Sequence, residues 1–295
     1  MPDIKATVIT PDIFVPVGNA NPFPVGEYEQ RYLVQGDSWF SIGALAPEFT
    51  TNVPSELTLS RSTLVVNCAR PGKVLARMTD TVSDPKFLSL LSGRNTRWPW
   101  DALVMSGGGN DLIDASVVPG TVPAAQRLLL RSDEWGSQAD ASRYLSDAGW
   151  QTFTDHMGAV FDFVLARRAE AVHPDMPIVL HTYDFVTPRN APAGAAMGPW
   201  LFKAMNDLYA IPPQDWNALS DLMITKLAAL LRQLAGSAAN VHVVDGLGRL
   251  QRADPQTDGP SNHWENEIHP TQEGYQVLAQ AWRPVLDAFP RLDPV

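Results

Sequence analysis

Five short apolar runs recur along the chain, at residues 31–36 (RYLVQG), 62–67 (STLVVN), 101–107 (DALVMSG), 176–183 (MPIVLHTY) and 240–246 (NVHVVDG). Each is rich in branched residues and bounded by Gly, Pro or polar positions. This is the pattern of strands buried on both faces rather than of half-exposed strands, which would alternate. The segments between them follow a different period. Residues 150–171 place Phe153, Val160, Phe161, Val164 and Leu165 on one helical face, and residues 216–236 do the same with Leu219, Leu222, Met223, Leu227, Leu230 and Leu231. A third helical pattern, 271–289, closes the chain. Strands alternating with helices predict a three-layer α/β domain whose parallel sheet of about five strands carries helices on both faces.

Two stretches fall outside this rhythm. Residues 1–30 are rich in Pro and Gly and are expected to form an arm wrapped on a single domain that spans 1–295. Residues 186–214 mix Pro, Gly and Ala with Trp200, Leu201, Phe202 and Tyr209. They form either a packed surface excursion or a lid or pocket wall, since long excursions in compact domains are often functional.

Composition narrows the classes. A hydrophobic content of 45% is enough for a large core and argues against disorder. The net charge of −10, with no basic cluster, makes nucleic acid and anionic membrane surfaces poor partners. Cys68 is the single cysteine, so the chain has no internal disulfide and no cysteine metal site. No apolar run approaches the roughly 18 residues of a membrane-spanning helix. The first ten residues lack the basic and apolar regions of a signal peptide. That pattern reads as cytoplasmic if Met1 is the native start, and as secreted or periplasmic if a leader was removed.

Ligands of open parallel sheets gather at the carboxyl ends of the strands. There this chain places Gly36-Asp37-Ser38 after the first run, Asn67 to Gly72 after the second, and Gly108-Gly109-Asn110-Asp111 after the third. Asn266-Glu267-Ile268-His269-Pro270 follows the fifth. Each has a plain structural reading alone. Ser38 suits a helix N-cap, Gly72 a turn of positive φ, the glycines 107–109 a tight turn, and His269 a structural histidine. Together, in this order, they bring a serine, a glycine, an asparagine and a histidine to one rim.

These four blocks resemble those of the SGNH hydrolases, also called the GDSL esterase/lipase family, and span nearly the whole chain. The resemblance implies a flavodoxin-like sheet of strand order 2-1-3-4-5 and ester hydrolysis by a serine without metal or other cofactor. The chemistry is consistent with the residue types. Ser38 serves as nucleophile and His269 as its base. The Ser38 N–H, the Gly72 N–H and the Asn110 side chain are placed to receive the oxyanion. The family's Asp-x-x-His-Pro reads here Asn266-Glu267-Ile268-His269-Pro270, so the acid position holds a neutral amide. Asn266 can orient His269 through its carbonyl oxygen. Glu265, Glu267 and Asp184 are the rival third members.

Competing classes fit less well. A metallohydrolase would need clustered ligands, and neither His-Glu-x-x-His nor any i, i+4 pairing of His263 with His269 is present. The Gly-x-Ser-x-Gly elbow of α/β-hydrolases is also missing. A non-catalytic binding protein on the same fold is the remaining alternative. The implied partner is a small-molecule or lipid-like ester. Apolar residues in 186–214, Trp200 and Phe202 above all, and Trp264 beside the histidine lean toward an acyl or aryl ester. An acetylated carbohydrate is the runner-up, because aromatic walls also stack on sugar rings.

Overall fold

The computed structural model describes residues 3–14, 23–41, 51–80, 82–93, 99–194 and 197–292. Its main sheet contains strands β1 (Thr7–Ile9), β2 (Gln30–Gly36), β3 (Thr63–Asn67), β4 (Ala102–Ser106), β5 (Ile178–His181) and β6 (Val241–Val244). All neighbours pair in parallel, in the spatial order β1-β3-β2-β4-β5-β6. The five strands read from the apolar runs are all present, and their order is the expected 2-1-3-4-5.

The sheet has six strands rather than five. The additional strand, β1, lies in the segment expected to be only an arm and pairs Thr7–Ile9 with Leu64–Val66. Three residues among prolines make too short an apolar run to register as a strand, and edge strands are commonly this short. Ile4–Lys5 also pairs antiparallel with Thr58–Leu59. Residues 1–2 and 15–22 of the expected arm lie outside the described residues.

The continuous apolar runs have a direct physical cause. Tyr32, Leu33 and Val34 point to alternate faces of the sheet, yet none is more than 1% exposed. Both faces are therefore covered, as parallel sheets require. The principal helices are α1 (Ser38–Ser41), α2 (Gly109–Ser116), α3 (Asp147–Arg168), α4 (Trp216–Gly236) and α5 (Gln272–Leu286). In α3, Phe153, Val160, Phe161 and Val164 are buried, as the periodicity predicts, while Leu165 is partly exposed. In α4, Leu222 alone of the predicted face is partly exposed. Side-chain caps begin α3 and α5: Ser146 accepts the Gly149 N–H and Thr271 accepts the Gly274 N–H.

The topology explains how distant residues meet. The chain leaves β2 for β3 on one side, then crosses to β4 on the other, so the carboxyl ends of these three strands are adjacent. The C-terminal segment adds the fourth component. Gln30 Nε2 donates to the Phe289 carbonyl at 3.0 Å, the Tyr32 hydroxyl to the Leu286 carbonyl at 2.8 Å, and Arg31 Nη2 to the Leu292 carbonyl at 2.8 Å. The end of α5 is thus fastened to the start of β2. A helix of 15 residues rises about 22 Å and a strand of 7 residues about 23 Å. Running antiparallel to β2, α5 therefore begins level with the end of that strand, and the loop preceding it delivers His269 beside Ser38.

Candidate active site

The turn after β2 is tight because two strand ends nearly touch. A Cβ on Gly36 would lie 2.8 Å from the Ser106 Cβ, so the position admits only glycine. The Asp37 N–H donates to the Ser106 carbonyl at 3.2 Å. Asp37 Oδ1 accepts the Trp39 N–H at 3.0 Å and the Ser106 hydroxyl at 2.8 Å, and the Tyr183 hydroxyl donates to Oδ2. Burial pushes the Asp37 carboxyl up to about 6, against these hydrogen bonds. The middle residue of Gly-Asp-Ser is thus a clamp that fixes where the serine emerges. Ser106 also lies 2.8 Å from His181 Nε2, and burial pushes that imidazole down to about 4. Sequence reading missed this network. Its only trace was that Ser106, His181 and Tyr183 stand at or near the ends of predicted strands.

Ser38 opens α1, whose described extent is the four residues to Ser41. The aromatic residues after it are anchors. Trp39 and Phe40 are buried, and Trp39 Nε1 donates to the Ile268 carbonyl at 3.0 Å, tying the Ser38 turn to the histidine loop.

His269 Nε2 lies 2.9 Å from Ser38 Oγ, across 231 residues of sequence. Its Nδ1 lies 3.0 Å from Asn266 Oδ1. That oxygen also accepts the N–H groups of Ile268 (3.1 Å) and His269 (3.0 Å). Two backbone donors aimed at one atom identify it as the amide oxygen, not the nitrogen. An acceptor facing Nδ1 requires the proton there, which leaves the Nε2 lone pair directed at the Ser38 hydroxyl. His269 is 5% exposed, and burial alone lowers its pKa to about 4; no carboxylate counters that shift.

Of the other carboxylates weighed for the third position, two are engaged elsewhere. Asp184 accepts the N–H groups of Phe185, Gly248, Arg249 and Leu250. Glu267 accepts those of Trp200, Leu201 and Phe202. Glu265 is exposed.

Asn110, in the first turn of α2, donates from Nδ2 to the Lys73 carbonyl at 3.0 Å. An amide nitrogen has two protons, so one remains for a second acceptor. Asp111 accepts the Leu75 N–H at 3.0 Å, so the Asn-Asp pair holds the loop after β3 from both sides. Within that loop the Arg70 N–H donates to the Gly36 carbonyl at 2.9 Å. Gly72 adopts φ +73° in the turn just before Lys73, the left-handed conformation that its identity suggested. It is exposed and is not among the residues that line the cavity described below.

Ser38 and Asn110 border an apolar cavity of about 40 Å³, walled by Leu112, Ile113, Val186, Leu201, Ile224 and Ile268. Residues 186–214 thus supply part of the wall, through Val186 and Leu201. The side chains expected to touch substrate lie elsewhere. Trp200 packs edge-on against the His269 ring at 5.4 Å between centroids, and Phe202 packs against Trp216 at 5.3 Å. Trp264 is fully buried behind Trp39, at 6.2 Å between ring centroids, so the substrate contact expected of it does not arise in this structure. Among the described residues no helix is long and apolar enough to cross a membrane.

No curated protein matches the chain. Solved structures that are similar include the aryl esterase of M. smegmatis, at 14% identity over 88% of this chain and 99% of that one, with a TM-score of 0.45. The extracellular lipase of Streptomyces rimosus is 17% identical over 88% and 99%, TM-score 0.45. Axe2, an acetylxylan esterase of Geobacillus stearothermophilus, is 13% identical over 86% and 92%, TM-score 0.44. The family model of the GDSL-like lipase/acylhydrolases matches residues 33–282, from inside β2 through most of α5. With that match extending over the four sequence blocks and the loops that bring Ser38 and His269 together, the chain belongs to the GDSL-like lipase/acylhydrolase family and is a carboxylic ester hydrolase.

Proposed function

We propose that this chain is a serine esterase for esters of short acyl chains, working through an acyl-enzyme on Ser38. The observation that carries the reading is the relay Ser38 Oγ–His269 Nε2 (2.9 Å) and His269 Nδ1–Asn266 Oδ1 (3.0 Å) at the border of a small apolar cavity. Ser38 Oγ attacks the ester carbonyl while His269 Nε2 takes its proton. The Ser38 N–H, the Gly72 N–H and the free proton of Asn110 Nδ2 serve the oxyanion. Collapse of the tetrahedral intermediate passes the proton from His269 to the leaving alcohol. Water then repeats the sequence on the acyl-enzyme, with His269 again as base.

Cavity size supports the acyl preference. A cavity needs about 10–15 Å³ on this measure to hold one water, so 40 Å³ matches roughly three non-hydrogen atoms. Acetyl has that size. An acyl or aryl ester of a small acid satisfies this, and so does an O-acetylated carbohydrate, the second reading that the same cavity favours. On 4-nitrophenyl esters kcat/KM should be highest for acetate and should fall from butyrate to octanoate. Acetylated xylosides assayed alongside separate the two alcohols. A maximum at octanoate would refute the short-acyl assignment.

Asn266 supplies a pH signature. The base must be neutral to act, so activity falls as pH drops through the His269 pKa. Burial without a carboxylate partner sets that pKa at about 4, so the acidic limb should lie in that region. In Asn266→Asp a carboxylate behind the ring favours the imidazolium, raises the pKa and moves the limb to higher pH. Asn266→Ala removes the acceptor that fixes the tautomer and should lower kcat by up to about 10⁴-fold. A pH–rate profile unchanged in both variants would remove Asn266 from this role.

A further inference from the structure

We infer that Glu267 is a positioning residue that sets the depth of the acyl cavity by fastening its wall to the loop carrying the base. The inference rests on the esterase reading above. The Glu267 side chain is buried at 1% exposure, and its carboxylate accepts three consecutive N–H groups, from Trp200, Leu201 (3.1 Å) and Phe202 (2.6 Å). There the chain turns helical, and the first N–H groups of a helix lack partners within it. Caps usually come from an adjacent Ser, Thr, Asn or Asp. Here the acceptor lies 66 residues away from Leu201, on the loop of His269.

The neighbours of Glu267 on either side both serve the site. Asn266 holds His269 Nδ1, and Ile268 lines the cavity. Across the seam, Leu201 lines the same cavity and Trp200 packs edge-on against the His269 ring. One carboxylate therefore joins the wall to the base. Two further bonds cross the seam. The Glu267 N–H donates to the Ala191 carbonyl at 2.9 Å, and Arg189 Nη2 donates to the Asn266 carbonyl at 2.9 Å. These hold residues 189–191 to the histidine loop, whereas the carboxylate holds the segment bearing Leu201. Bonds donated to an ionised acceptor are the strong ones, and burial, which favours the neutral acid, pushes the Glu267 carboxyl up to about 7 against them. In a cavity of about 40 Å³, a small retreat of Leu201 admits another methylene.

The test compares kcat/KM for 4-nitrophenyl acetate, butyrate and hexanoate in the full-length protein and in Glu267→Gln, Leu201→Ala and the double variant. The glutamine has one carbonyl oxygen for three N–H groups and turns an NH₂ toward them. Glu267→Gln should raise the hexanoate-to-acetate ratio about tenfold, the scale of a methylene in an apolar pocket, through a lower KM for hexanoate. Leu201→Ala should shift the ratio the same way, and the double variant should not exceed the larger single shift, because both act on one wall. Should Glu267→Gln fail to fold, Glu267→Asp, which withdraws the charge by one methylene, is expected to move the ratio in the same direction. Equal losses on all three esters, or single shifts that multiply in the double variant, would overturn the inference. A wild-type protein active on acetate with unmoved ratios in the variants overturns this inference alone. A wild-type protein inactive on every ester overturns the esterase reading and this inference with it.

Discussion

Ser38→Ala is expected to fold as the parent does and to lose kcat by about 10⁴- to 10⁶-fold, with ester binding kept. The size follows from what is removed. Among the described residues Ser38 Oγ is the hydroxyl held against His269 Nε2, so the variant lacks the oxygen proposed to be acylated. Stability should change by only about 1 kcal/mol, since a single hydroxyl–imidazole bond is lost and Asp37 continues to clamp the turn through Trp39, Ser106 and Tyr183. Circular dichroism and a thermal melt check the fold, and an active-site-titrated assay checks the rate. Activity within tenfold of the parent would mean that another nucleophile does the chemistry.

Asn110→Ala is expected to lose about 10²- to 10³-fold in kcat with KM little changed. A donor that engages only the developing oxyanion acts on the transition state and not on the bound ester. The accompanying structural loss is small: the variant surrenders the bond to the Lys73 carbonyl, but Asp111 still holds the Leu75 N–H. Asn110→Asp should be worse than alanine, because a carboxylate would face both the Lys73 carbonyl and the oxyanion. Parallel changes in kcat and Tm, with aspartate no worse than alanine, would reduce Asn110 to a loop clamp.

What the sequence made legible follows from burial. Strands covered on both faces must be apolar throughout, so β2 to β6 could be read, while their order came only with the family resemblance and the three residues of β1 fall below any such signal. The pairing of Ser38 with His269 could be anticipated because catalytic loops of parallel sheets share one rim. The fit itself depends on α5 matching β2 in length, which no local pattern expresses. The third member was open among Asn266, Glu265, Glu267 and Asp184. Backbone geometry supports Asn266, since two N–H groups converge on its oxygen and the buried rival carboxylates cap other turns. The segment 186–214 was recognisable as a possible wall, yet not which residue faces inward. Its helical part runs as a π-helix from Lys203 to Leu208, so helical periodicity does not pick out Leu201 over Trp200 or Phe202. The burial of Trp264 depends on long-range packing and had no local sign, and the Asp37–Ser106–His181 network showed only in the placement of Ser106 and His181 near predicted strand ends.

Catalysis through Ser38 requires a covalent intermediate. Wild-type protein turning over 4-nitrophenyl acetate, quenched in acid within the steady state and digested, should yield one acetylated peptide by mass spectrometry, with the acetyl group on Ser38. The same quench of Ser38→Ala should yield none. Acetylation of a different residue at stoichiometric level, or full turnover with no acyl-enzyme at Ser38, would contradict it.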